Sequence, residues 1–210
     1  MTDGTVEGVF FQPWVGETFA GGAVDGVRLL VVGESHYGDV SDVPDLRTLT
    51  KVVIRNHIDR PRERLFGRIE QLVGNGPLPD RAARVAFWNR IAFYNFVQEV
   101  LPQLGDRPTV KQWSEARSPF LSVLRTLRPQ AVLVLGKVMW DSLSVPPLFE
   151  SRSIDVAGAP YLFRWRITRD YSTIATWANH PSGSRGFKMA TWRPHVLALL
   201  LAASEAAAER

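Results

Sequence analysis

The sequence contains no cysteine, which excludes disulfides, thiolate zinc sites and cysteine-ligated iron-sulfur clusters. Lysine is almost as scarce, with 4 residues against 21 arginines. No apolar run is long: the strongest, residues 196–203, falls far short of the roughly 20 residues needed to span a bilayer. The amino terminus lacks a basic-then-apolar leader pattern, so a cytoplasmic protein without membrane contact is expected. Internal repeats and low-complexity linkers are also missing.

What is present suits one domain over residues 1–210, since 210 residues at 45% apolar composition can bury an ordinary core. The formal net charge is +4 and rests mainly on arginine, whose planar fork favours phosphate contact. A GC-rich genome also replaces lysine with arginine, so this charge permits a DNA partner without requiring one. A monomer without a cofactor is expected.

Apolar spacing and turn residues predict alternating strands and helices. Strands are expected at 28–32, 91–95, 131–135 and 172–178, with an edge strand at 161–167. Helices are expected at 46–58, 62–73, 80–88, 112–127, 137–143 and 191–209, and a loop at 35–45. Interleaved signals of this kind imply a three-layer α/β/α sandwich around a mainly parallel central sheet.

Two stretches begin where an apolar run gives way to polar groups, the arrangement that places reactive side chains at the carboxyl ends of buried parallel strands. The first is Val31-Val32-Gly33-Glu34-Ser35-His36-Tyr37-Gly38-Asp39, and the second Trp177-Ala178-Asn179-His180-Pro181-Ser182-Gly183-Ser184-Arg185-Gly186-Phe187. Between them lie Phe93-Tyr94-Asn95-Phe96-Val97-Gln98 and Arg128-Pro129-Gln130-Ala131-Val132-Leu133-Val134-Leu135-Gly136. In this order the four resemble the motifs of the uracil-DNA glycosylase superfamily, over roughly residues 28–193. Its first motif opens with Gly and Gln or Glu, its middle strand ends in a base-reading Asn, and its last motif reads His-Pro-Ser. The absence of cysteine sets the chain apart from the branches that hold an iron-sulfur cluster.

The resemblance implies a fold and a set of roles. Cleaving a base from deoxyribose generates cationic sugar character and an anionic leaving base. His180 is implied as the group that stabilises the departing base. Glu34 is the first choice for orienting water or favouring the sugar cation, and Asp39 the second. Asn95 is implied to read the base edge through its amide, and Asn89 is a rival six residues earlier. Tyr37 falls where the prototype branch crowds the C5 edge of the base; packing as an aromatic lid is the other reading. Ser35 replaces the water-activating Asp of that branch, and His36 replaces a Pro. His36 is left between phosphate contact, catalysis and plugging the loop.

Ser182, Ser184, Arg185 and Lys188 are candidates for DNA phosphate binding, with Arg193 adding positive potential if a helix starts after Pro181. Trp88, Phe93, Tyr94 and Phe187 are candidates for base stacking, or else core. The last motif has no Leu to wedge a duplex open, and Arg185 is the candidate to plug the gap or clamp phosphate. The implied activity is hydrolysis, without a cofactor, of the N-glycosidic bond of uracil or of another deaminated or modified base, including one from invading phage DNA. The motif positions hold no lysine, which disfavours Schiff-base chemistry. Three alternatives remain from the residues alone. One is a silent nucleotide binder that kept the pocket. Another is a serine hydrolase built on Ser35, although Tyr37 stands where a nucleophile elbow needs Gly. The third is a metal site among Glu34, His36, Asp39 and His180, whose spacing matches no familiar pattern.

Overall fold

Leu29-Leu30-Val31-Val32 has no polar residue to mark a solvent face, and the chain buries it on both sides. In the computed structural model, which describes residues 5–23, 26–74, 76–144, 148–155, 161–182 and 186–208, Leu29 and Val31 enter one core while Leu30 and Val32 enter another. Strand geometry sends successive side chains to opposite faces. One sheet therefore separates two cores, and helices flank it.

The strands are β1 (Trp14–Val15), β2 (Leu29–Gly33), β3 (His36–Tyr37), β4 (Ala92–Asn95), β5 (Val100–Leu101), β6 (Ala131–Leu135), β7 (Glu150–Ile154), β8 (Leu162–Arg166) and β9 (Ser172–Ala178). Seven of them form the main sheet in the order β1-β4-β2-β6-β9-β8-β7, and β3 pairs with β5 in a small second sheet. Strands β4, β2, β6 and β9 are mutually parallel, whereas β1, β8 and β7 join antiparallel. The sheet is thus mixed, with its parallel part at the centre, rather than mainly parallel.

Helices α1 (Leu49–Asp59), α2 (Arg64–Val73), α3 (Arg81–Trp88) and α7 (Met189–Ala208) contribute to the core on the Val31 side. The Val32 side receives α5 (Arg117–Leu127) and α6 (Lys137–Ser144). Asp80 caps α3, its Oδ1 accepting from the Ala83 amide at 2.8 Å.

Three expectations need correction. The helix foreseen at 112–127 is two, α4 (Val110–Glu115), opened by a Thr109–Gln112 capping box, and then α5. Pro119 lies in the first turn of α5, where its missing N–H is tolerated but cannot continue a helix from α4. Strand β8 is no edge, because β7 covers it. The Glu150-Ser151-Arg152-Ser153-Ile154 sequence of β7 is mostly polar and exposed, as suits an outermost strand, and so gives no apolar signal. The 35–45 segment includes β3.

The α1–α2–α3 layer contains a buried polar knot. Glu70 Oε1 accepts from Trp88 Nε1 at 2.9 Å and lies 2.9 Å from His57 Nε2, with all three side chains inside the core. Removing the carboxylate strands two buried donors, each costing about 1–3 kcal/mol. Glu70→Ala is therefore expected to lower the unfolding free energy by about 3 kcal/mol, and Glu70→Gln, which keeps an acceptor, by less. Urea titration with paired midpoints checks this.

Candidate functional site

Because β2, β4, β6 and β9 run the same way, their carboxyl ends share one edge. That edge gathers Glu34 after β2, Asn95 at the end of β4, Gly136 after β6 and His180 just beyond β9. Asn89 follows α3 and precedes β4, so it sits at the opposite end of that strand, where its carbonyl accepts from Thr18.

The register makes Gly33 a requirement. Gly33 pairs with Asn95, and a Cβ on it would stand 2.4 Å from Asn95 Oδ1 and 2.9 Å from the Phe93 ring. No residue with a side chain fits there without moving the amide. The Asn95 side chain itself is buried and makes no hydrogen bond to a described residue. At the end of β6, Gly136 donates its amide to the Ala178 carbonyl at 2.8 Å, and a Cβ there would meet the His180 side chain at 3.9 Å.

His180 is oriented by its own loop. Its Nδ1 lies 2.8 Å from Ser182 Oγ and accepts from the Ser182 amide at 3.3 Å. A backbone amide can only donate, so Nδ1 is the unprotonated nitrogen and the neutral ring carries its proton on Nε2. Burial, aided by the positive charge of Arg107, pushes the ring down to a pKa of about 4. The imidazole is consequently neutral at ordinary pH, with its proton on Nε2.

The loop is fastened from two sides. Arg68 on α2 donates to the Pro181 carbonyl and lays its guanidinium 5.1 Å from the Phe187 ring centroid. Asn179 Nδ2 donates to the Gly186 carbonyl at 2.9 Å. Ser184 and Arg185 lie outside the described residues. Among the described residues the next helix after Pro181 is α7, which begins at Met189, and Ser182 is engaged with His180. Lys188 is exposed, with its carbonyl accepting from Thr191 and Trp192 in the first turn. Arg193 donates to the Gly74 carbonyl.

Glu34 is buried beside Tyr37, whose hydroxyl donates to Glu34 Oε1 at 3.2 Å. Arg107, 73% exposed, approaches Glu34 Oε2 at 3.6 Å. Burial raises the Glu34 pKa, and Arg107 and Tyr37 oppose that rise. Pairing of His36 with Val100 and of Tyr37 with Leu101 joins β3 to β5 and draws in the 102–109 loop that carries Arg107. One arginine thus acts electrostatically on both Glu34 and His180.

The remaining candidates fall elsewhere. His36 is buried, with Nε2 3.0 Å from Thr50 Oγ1 and its ring edge-on to Phe11, and burial holds its pKa near about 4. Of its three readings, the plug is the one its surroundings support. Asp39 is exposed and closes a turn, accepting from the Ser41 amide at 2.9 Å. These hydrogen bonds hold its carboxyl below the ordinary range and leave it a turn residue on the solvent side. Ser35 Oγ is sealed from solvent and meets no partner at hydrogen-bonding geometry, although it lies near enough to favour ionisation of the Tyr37 phenol. Trp88, Phe93 and Tyr94 are fully buried in the cores and do not offer stacking faces.

Sequence reasoning passed over Arg107, Arg68 and Asn179. Arg107 lies in a Gly-Asp-Arg-Pro loop segment that carries no periodic signal, and only the β3–β5 pairing brings it to the edge. Asn179 directly precedes His180, and its place inside the motif was the available signal. Among the described residues, no group of three or more His, Asp and Glu side chains is disposed to hold a metal ion. A depression of about 310 Å³ is lined by Ala23, Leu78, Phe87 and Ile91. It lies toward the amino end of β4, away from His180, and is mostly apolar. No helix among the described residues is long and apolar enough to cross a membrane. No protein-family model matches the chain, and no curated protein matches it significantly.

Proposed function

We propose that the strand-end edge is the active site of a DNA glycosylase that hydrolyses the bond between deoxyribose and uracil, or another deaminated or modified base. The observation that carries this reading is the orientation of His180. Its Nδ1 is held by Ser182 and its ring is neutral, which puts its proton on Nε2, the nitrogen that this reading assigns to the base oxygen. In the reaction the glycosidic C–N bond breaks with its electron pair leaving on the base, and water supplies the oxygen that joins the sugar. The Nε2–H donates to the base oxygen as negative charge collects there, an interaction stronger in the transition state than in the ground state. Glu34, as a carboxylate, faces the opposite charge and orients the water. Asn95 offers its unpaired amide to the base edge, and Tyr37 flanks it. The three-layer arrangement and the order of the motifs support a glycosylase-like fold as part of the same reading.

A specific observation favours a second reading. Ser35 stands in place of a water-activating carboxylate and is sealed without a normally placed hydrogen bond, which suits a protein that binds a flipped nucleotide and leaves it intact.

Cleavage of labelled single- and double-stranded oligonucleotides carrying uracil, hypoxanthine, xanthine or hydroxymethylcytosine separates the two, with alkali revealing abasic sites. Product that depends on His180 establishes the glycosylase and names its base. Binding without product on every substrate rejects it in favour of the binder.

The charge pattern predicts the pH profile. Activity requires the Glu34 carboxylate, so it is present above the folded pKa of that group and is lost as pH falls through it. That pKa is raised above 4.5, whereas His180 stays neutral down to about 4. Glu34 therefore sets the acid limb. Arg107→Gln removes the charge that holds the Glu34 pKa down, and the acid limb of kcat should move to higher pH. An unshifted limb would separate Arg107 from Glu34 in function.

A further inference from the structure

Tyr161 presents an exposed ring from an uncommon backbone conformation. Tyr161 is 53% exposed and sits at φ 77°, in the left-handed region that a bulky residue rarely enters. Its backbone is pinned there, because its carbonyl accepts from Thr176 Oγ1 at 2.9 Å. Strain of this kind persists where the surroundings enforce it, often at binding sites.

Its neighbours extend the surface. The Tyr161 ring lies 5.9 Å from that of half-buried Trp177, and Lys137 Nζ stands 5.5 Å from the Trp177 centroid. Strand β8 enters antiparallel to β9, so Tyr161 stands beside the carboxyl end of β9, where Trp177 precedes His180 by three residues. Lys137 follows Gly136, where an added Cβ would meet the His180 side chain at 3.9 Å. An exposed ring, a second aromatic and a cation therefore cluster at the carboxyl end of β9, just before His180 in the chain. Asp141 pairs with Lys137 at 2.7 Å, which tempers the positive charge, so stacking rather than charge is the main attraction.

We infer that Tyr161, backed by Trp177 and Lys137, is a stacking platform for an unpaired nucleobase of a DNA strand held at the strand-end edge. Every base has a π-face, so such a platform is tolerant of sequence. The inference rests on the nucleic-acid reading of the adjoining site, but it does not require that site to cleave anything.

The test is fluorescence anisotropy with a labelled dT dodecamer and with a dodecamer of the same charge made wholly of abasic residues. Wild type is compared with Tyr161→Phe, which keeps the ring, and Tyr161→Gly, which loses the ring and accepts the left-handed backbone without strain. Circular dichroism confirms that each variant keeps the fold. Tyr161→Gly should bind the dT dodecamer about tenfold more weakly than wild type, and Tyr161→Phe within about twofold. Wild type should bind the abasic dodecamer as weakly as Tyr161→Gly binds the dT dodecamer. Failure of wild type to bind the dT dodecamer, equal binding by Tyr161→Gly, or equal binding of the abasic strand would each overturn the platform. Ring-dependent binding by a protein that releases no base would uphold it and reject the glycosylase reading alone.

Discussion

Replacing His180 with alanine is expected to lower release of the base by on the order of 10²-fold or more, with substrate binding reduced far less. The ring is already neutral, already oriented and already largely desolvated, so on the glycosylase reading a hydrogen bond to the leaving base would require little reorganisation as charge develops. Ser182→Ala should produce a smaller loss, because the Ser182 backbone amide still holds Nδ1 after the hydroxyl is gone. Single-turnover measurements with enzyme in excess separate the chemical step from binding. Equal rates in wild type and His180→Ala would remove His180 from the chemistry altogether.

Gly33→Ala is the second large effect, and it acts through a neighbour. The new methyl would lie 2.4 Å from Asn95 Oδ1 and 2.9 Å from the Phe93 ring. Phe93 is wedged against Phe66 and Trp88 at ring-centroid distances of 5.5 and 6.3 Å, so it has little room to retreat. Overpacking of this kind costs about 1–3 kcal/mol of stability, measurable by thermal or urea unfolding. Displacement of the Asn95 amide by about 1 Å is expected to cost a further 10²-fold in kcat/KM on the preferred base. The activity loss should therefore persist at temperatures where the variant is still fully folded. Loss of stability with unchanged base selectivity would mean that Asn95 does not read the substrate.

The parts of this architecture that were legible in the sequence are those that bury on both faces. Residues 131–135 and 172–178 fold as strands with the expected limits, since continuous apolar or β-branched runs bounded by Pro, Asp or Gly leave little choice. Strand β7 was invisible because outermost strands are polar and resemble loops. The break between α4 and α5 was invisible because Trp113, Ala116, Phe120 and Leu124 keep helical spacing across it. Glu34, Asn95 and His180 could be placed at one edge from the sequence because each stands at or just past the end of a buried strand. Arg107 was not, because its place depends on two short pairings in another sheet. The polar residues after β2 were equally readable as site or turn, and only their partners divide Glu34 from Asp39.

Pairing of β3 with β5 has a consequence for how such a protein can diversify. It ties the Glu34 segment and the Arg107 loop into one rim, while the strands beneath contribute Asn95 and the approach to His180. Changing the composition of residues 102–107, which are mostly exposed, would alter the charge at the mouth while leaving buried Pro108 and the Thr109 cap of α4 in place. The rim is a replaceable part on a fixed chassis, and a lineage could change the ligand it accepts by exchanging that loop alone.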